Sequence, residues 1–133
     1  MRAVVSDTHA AIWYIVDPER LSLNARASFE QTALAGGAIY VSSISVVEMC
    51  YLVEKGRLSN IVMQRLVYAL GDPASALVIF PLDLKIALAV EQIARSSVPD
   101  MPDRIIAATA LHLNLPLITR DRRIQAAGVT TIW

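Results

Sequence analysis

Apolar positions along the chain fall into short runs separated by longer mixed stretches with helical spacing. Residues 3–6 predict a buried strand, and residues 8–16 a helix that Asp17 and Pro18 stop. Residues 24–35 predict a second helix with Leu23, Ala27 and Leu34 on its inner side, ended by Gly36 and Gly37. Residues 39–41 read as a strand. Ser43 or Ser45 then caps a helix through Glu48 to about Lys55, with Gly56 at its end. Ser59 opens another helix, which closes near Gly71, Asp72 and Pro73. A β-branched run at 76–82 predicts a strand, and Asp83 caps a helix reaching about Arg95. Residues 101–113 form an Ala-rich helix, residues 117–119 a strand, and a short helix and a last strand at 130–132 follow.

Short apolar strands alternating with helices imply βαβ units and a mainly parallel sheet covered on both faces. Functional groups in such sheets collect beyond the carboxyl ends of the strands. Asp7 follows the first strand, Asp121 follows the strand at 117–119, and Asp103 opens the Ala-rich helix on the same edge. Three separated acids are thereby aimed at one place.

Each acid also has a structural role open to it. Asp7 and Asp121 suit helix N-caps, and taken alone Asp7 fits a cap better than a site. Asp100 and Asp103 have capping-box spacing, with Asp100 as the cap. Glu48 is different. Its helical neighbours Ile44, Ser45, Tyr51 and Leu52 place it on a buried or half-buried face, where an ionised acid needs a cation, a partner or a raised pKa. An arginine is one solution and a shared divalent cation another. Four carboxylates at one site repel one another, and a hard divalent cation best accounts for their coexistence.

Composition narrows the chemistry. The 133 residues suffice for a single domain, 1–133, with one core. The 55% hydrophobic content exceeds what that core requires and points to an apolar surface that a partner covers. No apolar run spans a bilayer, and the run after Met1 and Arg2 is too short for a signal peptide, so a cytoplasmic location is expected. The lone Cys50 excludes an internal disulfide and a thiolate cage, and is expected to be a buried thiol. His9 and His112 lack zinc spacing, and His112 is expected at the surface. Formal charge is zero, but ten of the twelve bases are Arg, and Arg104, Arg120, Arg122 and Arg123 lie beside candidate acids in sequence. They either bind phosphate or only offset the acids. Ser6 and Thr119 flank site acids, where they touch phosphate oxygens or satisfy the backbone. The absence of a Gly-rich phosphate loop and of a GxSxG elbow removes nucleotide-cradling and serine-hydrolase readings.

Four segments together carry a family resemblance. They are Val5-Ser6-Asp7-Thr8-His9-Ala10, the run from Val41 to Glu48, the run from Asp100 to Ala110, and Leu117-Ile118-Thr119-Arg120-Asp121. Each alone is weak. In this order, on these elements, they resemble the PIN-domain ribonucleases, and within them the VapC-type toxins of toxin–antitoxin pairs. The Thr-His after Asp7 and the Pro99 before Asp100 depart from commoner family choices without touching a catalytic acid.

The resemblance implies a three-layer α/β/α fold. It also implies a quartet of Asp7, Glu48, Asp103 and Asp121 that is both catalytic and metal-binding, holding Mg²⁺ or Mn²⁺. Single-stranded or structured RNA as substrate, a 5′-phosphate and a 3′-hydroxyl as products, a homodimer, and a cognate VapB-type antitoxin follow from the same likeness. The helices around Glu48 and after Ser59 are the expected walls of the antitoxin groove. Two other classes stay in view. One is a catalytically silent PIN-like module that binds RNA or a partner, against which the four acids argue. The other is an aspartyl-phosphate enzyme or receiver, which lacks its further acid and its late lysine here.

Overall fold

The computed structural model describes residues 3–133; Met1 and Arg2, from which the leader argument starts, lie outside the described residues. Among the described residues, five strands form one all-parallel sheet: β1 Val4–Ser6, β2 Ile39–Ser42, β3 Leu77–Phe80, β4 Leu117–Ile118 and β5 Thr131–Ile132. Their spatial order is β3-β2-β1-β4-β5. The chain moves outward from β1 to β3, then returns to β1's other side with β4. That reversal opens a crevice at the carboxyl ends of β1 and β4.

Among the described residues, seven α-helices connect and flank the strands: α1 Thr8–Val16, α2 Leu23–Leu34, α3 Ser43–Glu54, α4 Asn60–Gly71, α5 Leu84–Ala89, α6 Met101–Leu113 and α7 Arg122–Ala126. Strand periodicity sorts the core into two halves. Val4, Ile39, Val41, Leu77 and Ile118 pack with α1, α2 and α4 through Ala11, Phe29 and Leu66. Val5 and Leu117, neighbours in register, face the other way onto α5, α6 and α7 through Ile86, Ile106 and Ile124. Helix α3 serves both halves, with Ile44 in one and Met49 in the other. The result is the expected three-layer α/β/α sandwich. No described helix is long and apolar enough to cross a membrane.

Several local expectations are overturned. Leu23 and Leu34 of α2 are 86% and 88% exposed, and the buried stripe is Ala25, Ser28, Phe29 and Thr32. The helix presents its 3–4 spaced set to the sheet, with Phe29 stacked on Tyr14 at 4.5 Å between centroids, and that rotation puts both leucines outside. Cys50 is exposed, because it lies about 100° round the helix from the buried Met49. Helix α3 is capped by Ser42, whose Oγ accepts the Ile44 amide at 3.2 Å, and not by Ser43 or Ser45. Ser43 Oγ instead accepts the Leu82 amide at 3.0 Å, tying the start of α3 to the segment after β3. The helix expected to reach Arg95 stops at Ala89 and tightens into a 3-10 turn, Val90–Gln92. His112 is exposed, as expected.

Candidate active site

Five residues reach one crevice because of how the chain leaves its strands and starts its helices. Strand β1 ends at Ser6, so Asp7 is the first residue beyond it and the N-cap of α1, its Oδ1 accepting the Ala10 amide at 2.8 Å. Helix α6 runs back antiparallel to β4, which returns its start to the edge where the strands end. Its N-cap is Asp100, whose Oδ2 accepts the Asp103 amide at 3.2 Å. Asp103 itself is left free of capping duty. Asp121 follows β4 and caps α7, with Oδ1 2.9 Å from the Arg123 amide and 3.3 Å from Arg123 Nε. Glu48 projects from the second turn of α3. Asp7, Glu48, Asp100, Asp103 and Asp121 all line a single cavity of about 530 Å³.

Hydroxyl groups knit the crevice together. Thr8 Oγ1 lies 2.6 Å from Glu48 Oε1 and 2.9 Å from Ser45 Oγ. Its one proton and two lone pairs serve both when it donates to the carboxylate and Ser45 donates to it. Thr119 donates to the Asp7 carboxyl and accepts the Asp121 amide at 3.1 Å, coupling the ends of β1 and β4. Ser6, by contrast, is buried and satisfies the backbone, donating to Asp7 O at 2.9 Å.

The electrostatics are those of crowded acids. Asp103 is pushed up to about 7, first by burial and then by the charges of Asp100, Glu48, Asp121 and Asp7. Asp7 is raised by burial, against which its hydrogen bonds from Thr119 and Ala10 work. Glu48 is raised by burial as well, with the Thr8 bond opposing and Asp100 adding to it. Among the described residues no arginine pairs with Glu48, Asp7 or Asp103, and the ion pairs are Arg26–Glu30 and Arg123–Asp121.

As the side chains stand, no three carboxyl, imidazole or thiol groups among the described residues close on one point tightly enough to clasp an ion. The donor set nevertheless fits a hard cation. Every candidate ligand is a carboxylate, all open into one cavity, and at Asp103 burial, with the charges of its neighbours, raises the proton affinity that a cation would lower.

The arginines separate into different roles. Arg120 and Arg123 line the acid cavity. Arg104, adjacent to Asp103 in sequence, points away and does not serve the acids. Its guanidinium donates to Ile93 O at 2.7 and 3.0 Å and to Val90 O at 3.0 Å, holding the irregular segment after α5 against α6. Arg122 lines a smaller neighbouring cavity of about 230 Å³ that shares Arg120 and Asp121 with the first.

Sequence reasoning missed two members of the crevice. Thr8 entered only as part of a motif, and nothing local announced a partner forty positions away. Trp13 was unremarked, although its spacing of four from His9 puts both on one face of α1, where they line the acid cavity. An apolar cavity of about 770 Å³ lies between α1 and α4, lined by Tyr14, Ile15, Ile61 and Tyr68 among others. Helix α3 does not line it, though it exposes Val47 and Tyr51.

Comparison with known proteins agrees with this picture. Residues 4–129 match the family described as PIN domain. The chain is 31% identical over 138 residues to Ribonuclease VapC22 of Mycobacterium tuberculosis, with 100% of both chains covered. Among solved structures, FitAcB from Neisseria gonorrhoeae superposes with a TM-score of 0.62 at 28% identity, covering 96% of this chain and 95% of that one. VapBC2 from Rickettsia felis, bound to a DNA fragment from its promoter, gives a TM-score of 0.72 over 97% of this chain and 96% of that one. At 19% identity the latter speaks for the fold alone.

Proposed function

The chain belongs to the PIN domain family, and from that premise we propose that it is a metal-dependent endoribonuclease, the toxin of a VapBC-like pair. The observation that carries the reading is the single crevice into which Asp7, Glu48, Asp103 and Asp121 open, at the point where the strand order reverses. These four would hold Mg²⁺ or Mn²⁺. Such an ion, when bound, lowers the pKa of a coordinated water and offsets charge on the phosphoryl oxygens.

The chain's own groups divide the remaining work. Asp121 is engaged by the amide and guanidinium of Arg123, and Asp7 by Ala10 and Thr119, so both are fixed anchors. Glu48 is held at Oε1 by Thr8 alone, which leaves Oε2 to take a proton from the attacking water. Burial raises its pKa, which makes it a stronger base than an ordinary carboxylate. Arg120, exposed at the rim, faces the substrate's charge. In-line attack at phosphorus leaves a 5′-phosphate and a 3′-hydroxyl.

The antitoxin reading rests on surface. Ile61, Tyr68, Val47 and Tyr51 are 69%, 77%, 46% and 58% exposed on α4 and α3, large apolar side chains of the kind that a partner covers. A VapB-type partner that covers the α1–α4 cavity, a homodimer, and action in the cytoplasm complete the proposal. Expression of the chain alone should arrest growth, and co-expression of the neighbouring small antitoxin gene should relieve the arrest. Glu48→Ala should remove toxicity yet leave antitoxin capture intact, since the acid crevice and the apolar cavity share no lining residue. Arrest by a well-folded Glu48→Ala protein would count against the proposal.

A further inference from the structure

Two tryptophans meet beside the acid crevice. Trp13 lines the acid cavity, Trp133 lines the smaller cavity next to it, and their ring centroids are 6.0 Å apart at an interplanar angle of 60°. His9 lies 5.9 Å from Trp13 on its own helix, and the Arg20 guanidinium sits 4.6 Å over the Trp13 ring. The two cavities are joined through Arg120 and Asp121, and Arg122 lines the far one. Arg120 and Arg122 are exposed and, among the described residues, not ion-paired. One trough thus runs from the carboxylates, past an unpaired arginine, to an aromatic pair and a second unpaired arginine.

A core edge alone does not call for this arrangement. Both rings pack partly against the core and remain half-buried, and Arg120 and Arg122 beside them are not taken up in ion pairs among the described residues. The combination of accessible aromatic rings with free guanidinium groups is the chemistry that binds a single-stranded nucleic acid. Bases stack on the rings, and the phosphates between them take the arginines.

We propose that Trp13 and Trp133, with Arg120 and Arg122, form a subsite for one unpaired nucleotide of the RNA strand next to the phosphate being cleaved. The base stacks on Trp133, which Trp13 supports from the side, and its phosphate lies between the two arginines. The subsite selects unpaired over duplex RNA, because a paired base has no free face to offer. This assignment rests on the nuclease reading above and adds to it the residues that hold the strand beside the acids.

The chain contains two tryptophans, and both are here, so intrinsic tryptophan fluorescence reports on this subsite alone. A short mixed-sequence single-stranded RNA, titrated in calcium to suppress turnover, should quench that fluorescence, and the same strand annealed to its complement should quench far less. In magnesium, Trp133→Leu should raise KM for single-stranded RNA by about 5- to 100-fold with kcat nearly unchanged, as expected for the loss of one stacked base. Trp133→Phe should restore most of the affinity. Arg122→Gln, a surface change that leaves the core untouched, should also raise KM and lower the slope of log affinity against log salt by about 1. Equal quenching by single-stranded and duplex RNA, or an unchanged KM in both Trp133→Leu and Arg122→Gln, would overturn the subsite. Wild-type protein that is quenched by single-stranded RNA but does not cut it would leave the subsite standing and remove the nuclease reading. Cleavage that is indifferent to both substitutions would do the reverse.

Discussion

Thr8 Oγ1 and Glu48 Oε1 are 2.6 Å apart, joining the first turn of α1 to the second turn of α3 across forty positions of chain. Thr8 is buried, so water does not replace this donor when it is lost. A hydrogen bond to a charged acceptor contributes about 1.5–3 kcal/mol, which is about a 10- to 100-fold effect on any step that depends on it. Thr8→Val, which keeps shape and removes the donor, should therefore lower kcat by at least about tenfold. It should also move the basic group's pKa further up in the pH–rate profile, because burial is then unopposed by that bond. Thr8→Ser should recover both. A Thr8→Val enzyme with unaltered rate and profile would show that the contact does not set the reactivity of Glu48.

Asp103 gives the metal-free protein a definite pH dependence. Its folded pKa is raised from 3.8 to about 7, so between those values the folded state holds more protons than the unfolded chain. The free energy of unfolding therefore falls as pH rises through that window and levels off above it. Asp7 and Glu48 act in the same direction. Thermal unfolding in chelator should show a lower Tm at pH 8 than at pH 5. Asp103→Asn should flatten part of that slope and leave the metal-free protein at least as stable at pH 8, while cleavage is lost. Asp100 carries the helix cap, which is why little structure is forfeited. A large drop in Tm for the metal-free Asp103→Asn protein would make Asp103 chiefly structural.

The same proton equilibrium governs cation binding. A ligand must shed its proton first, so affinity for Mg²⁺ or Mn²⁺ should rise with pH up to about 7 and then plateau. Calorimetric titration in buffers of different ionisation enthalpy should detect proton release at pH 6 and little at pH 8. Equal affinity and no proton release at pH 6 would contradict the crowded-acid description.

Arg104 is expected to behave as a structural residue despite its place beside Asp103. Its three hydrogen bonds to Ile93 and Val90 carbonyls close the turn after α5, and Ile93 is fully buried. Arg104→Ala should lower stability by about 1–3 kcal/mol, from the orphaned carbonyl of buried Ile93, while kcat per folded molecule stays near wild type. A strong loss of kcat in a stable protein would restore a role at the phosphate.

Much of this architecture is legible in the residues. Strand and helix alternation, the caps at Ser59, Asp83 and Asp100, and the convergence of Asp7, Asp103 and Asp121 all follow from local pattern and the rule that parallel strands end on one edge. Glu48 was readable as half-buried from its helical neighbours. What stayed hidden depends on tertiary rotation. The orientation of α2, with Leu23 and Leu34 outside, is set by Phe29 meeting Tyr14, a contact no window of sequence contains. The outward turn of Arg104 follows from carbonyls eleven and fourteen positions earlier, where α5 ends short of its expected length. Trp133 joins Trp13 only because β5 returns beside β4.

The central claim is that the four-carboxylate crevice cuts RNA with a bound divalent cation, and the most direct measurement is cleavage of single-stranded RNA by purified protein. Wild-type protein should cut in Mg²⁺ or Mn²⁺ and leave 5′-phosphate ends. It should stop in excess EDTA and lose activity on Glu48→Gln without a change in fold. Undiminished cleavage in excess chelator, or by the folded Glu48→Gln protein, would contradict it.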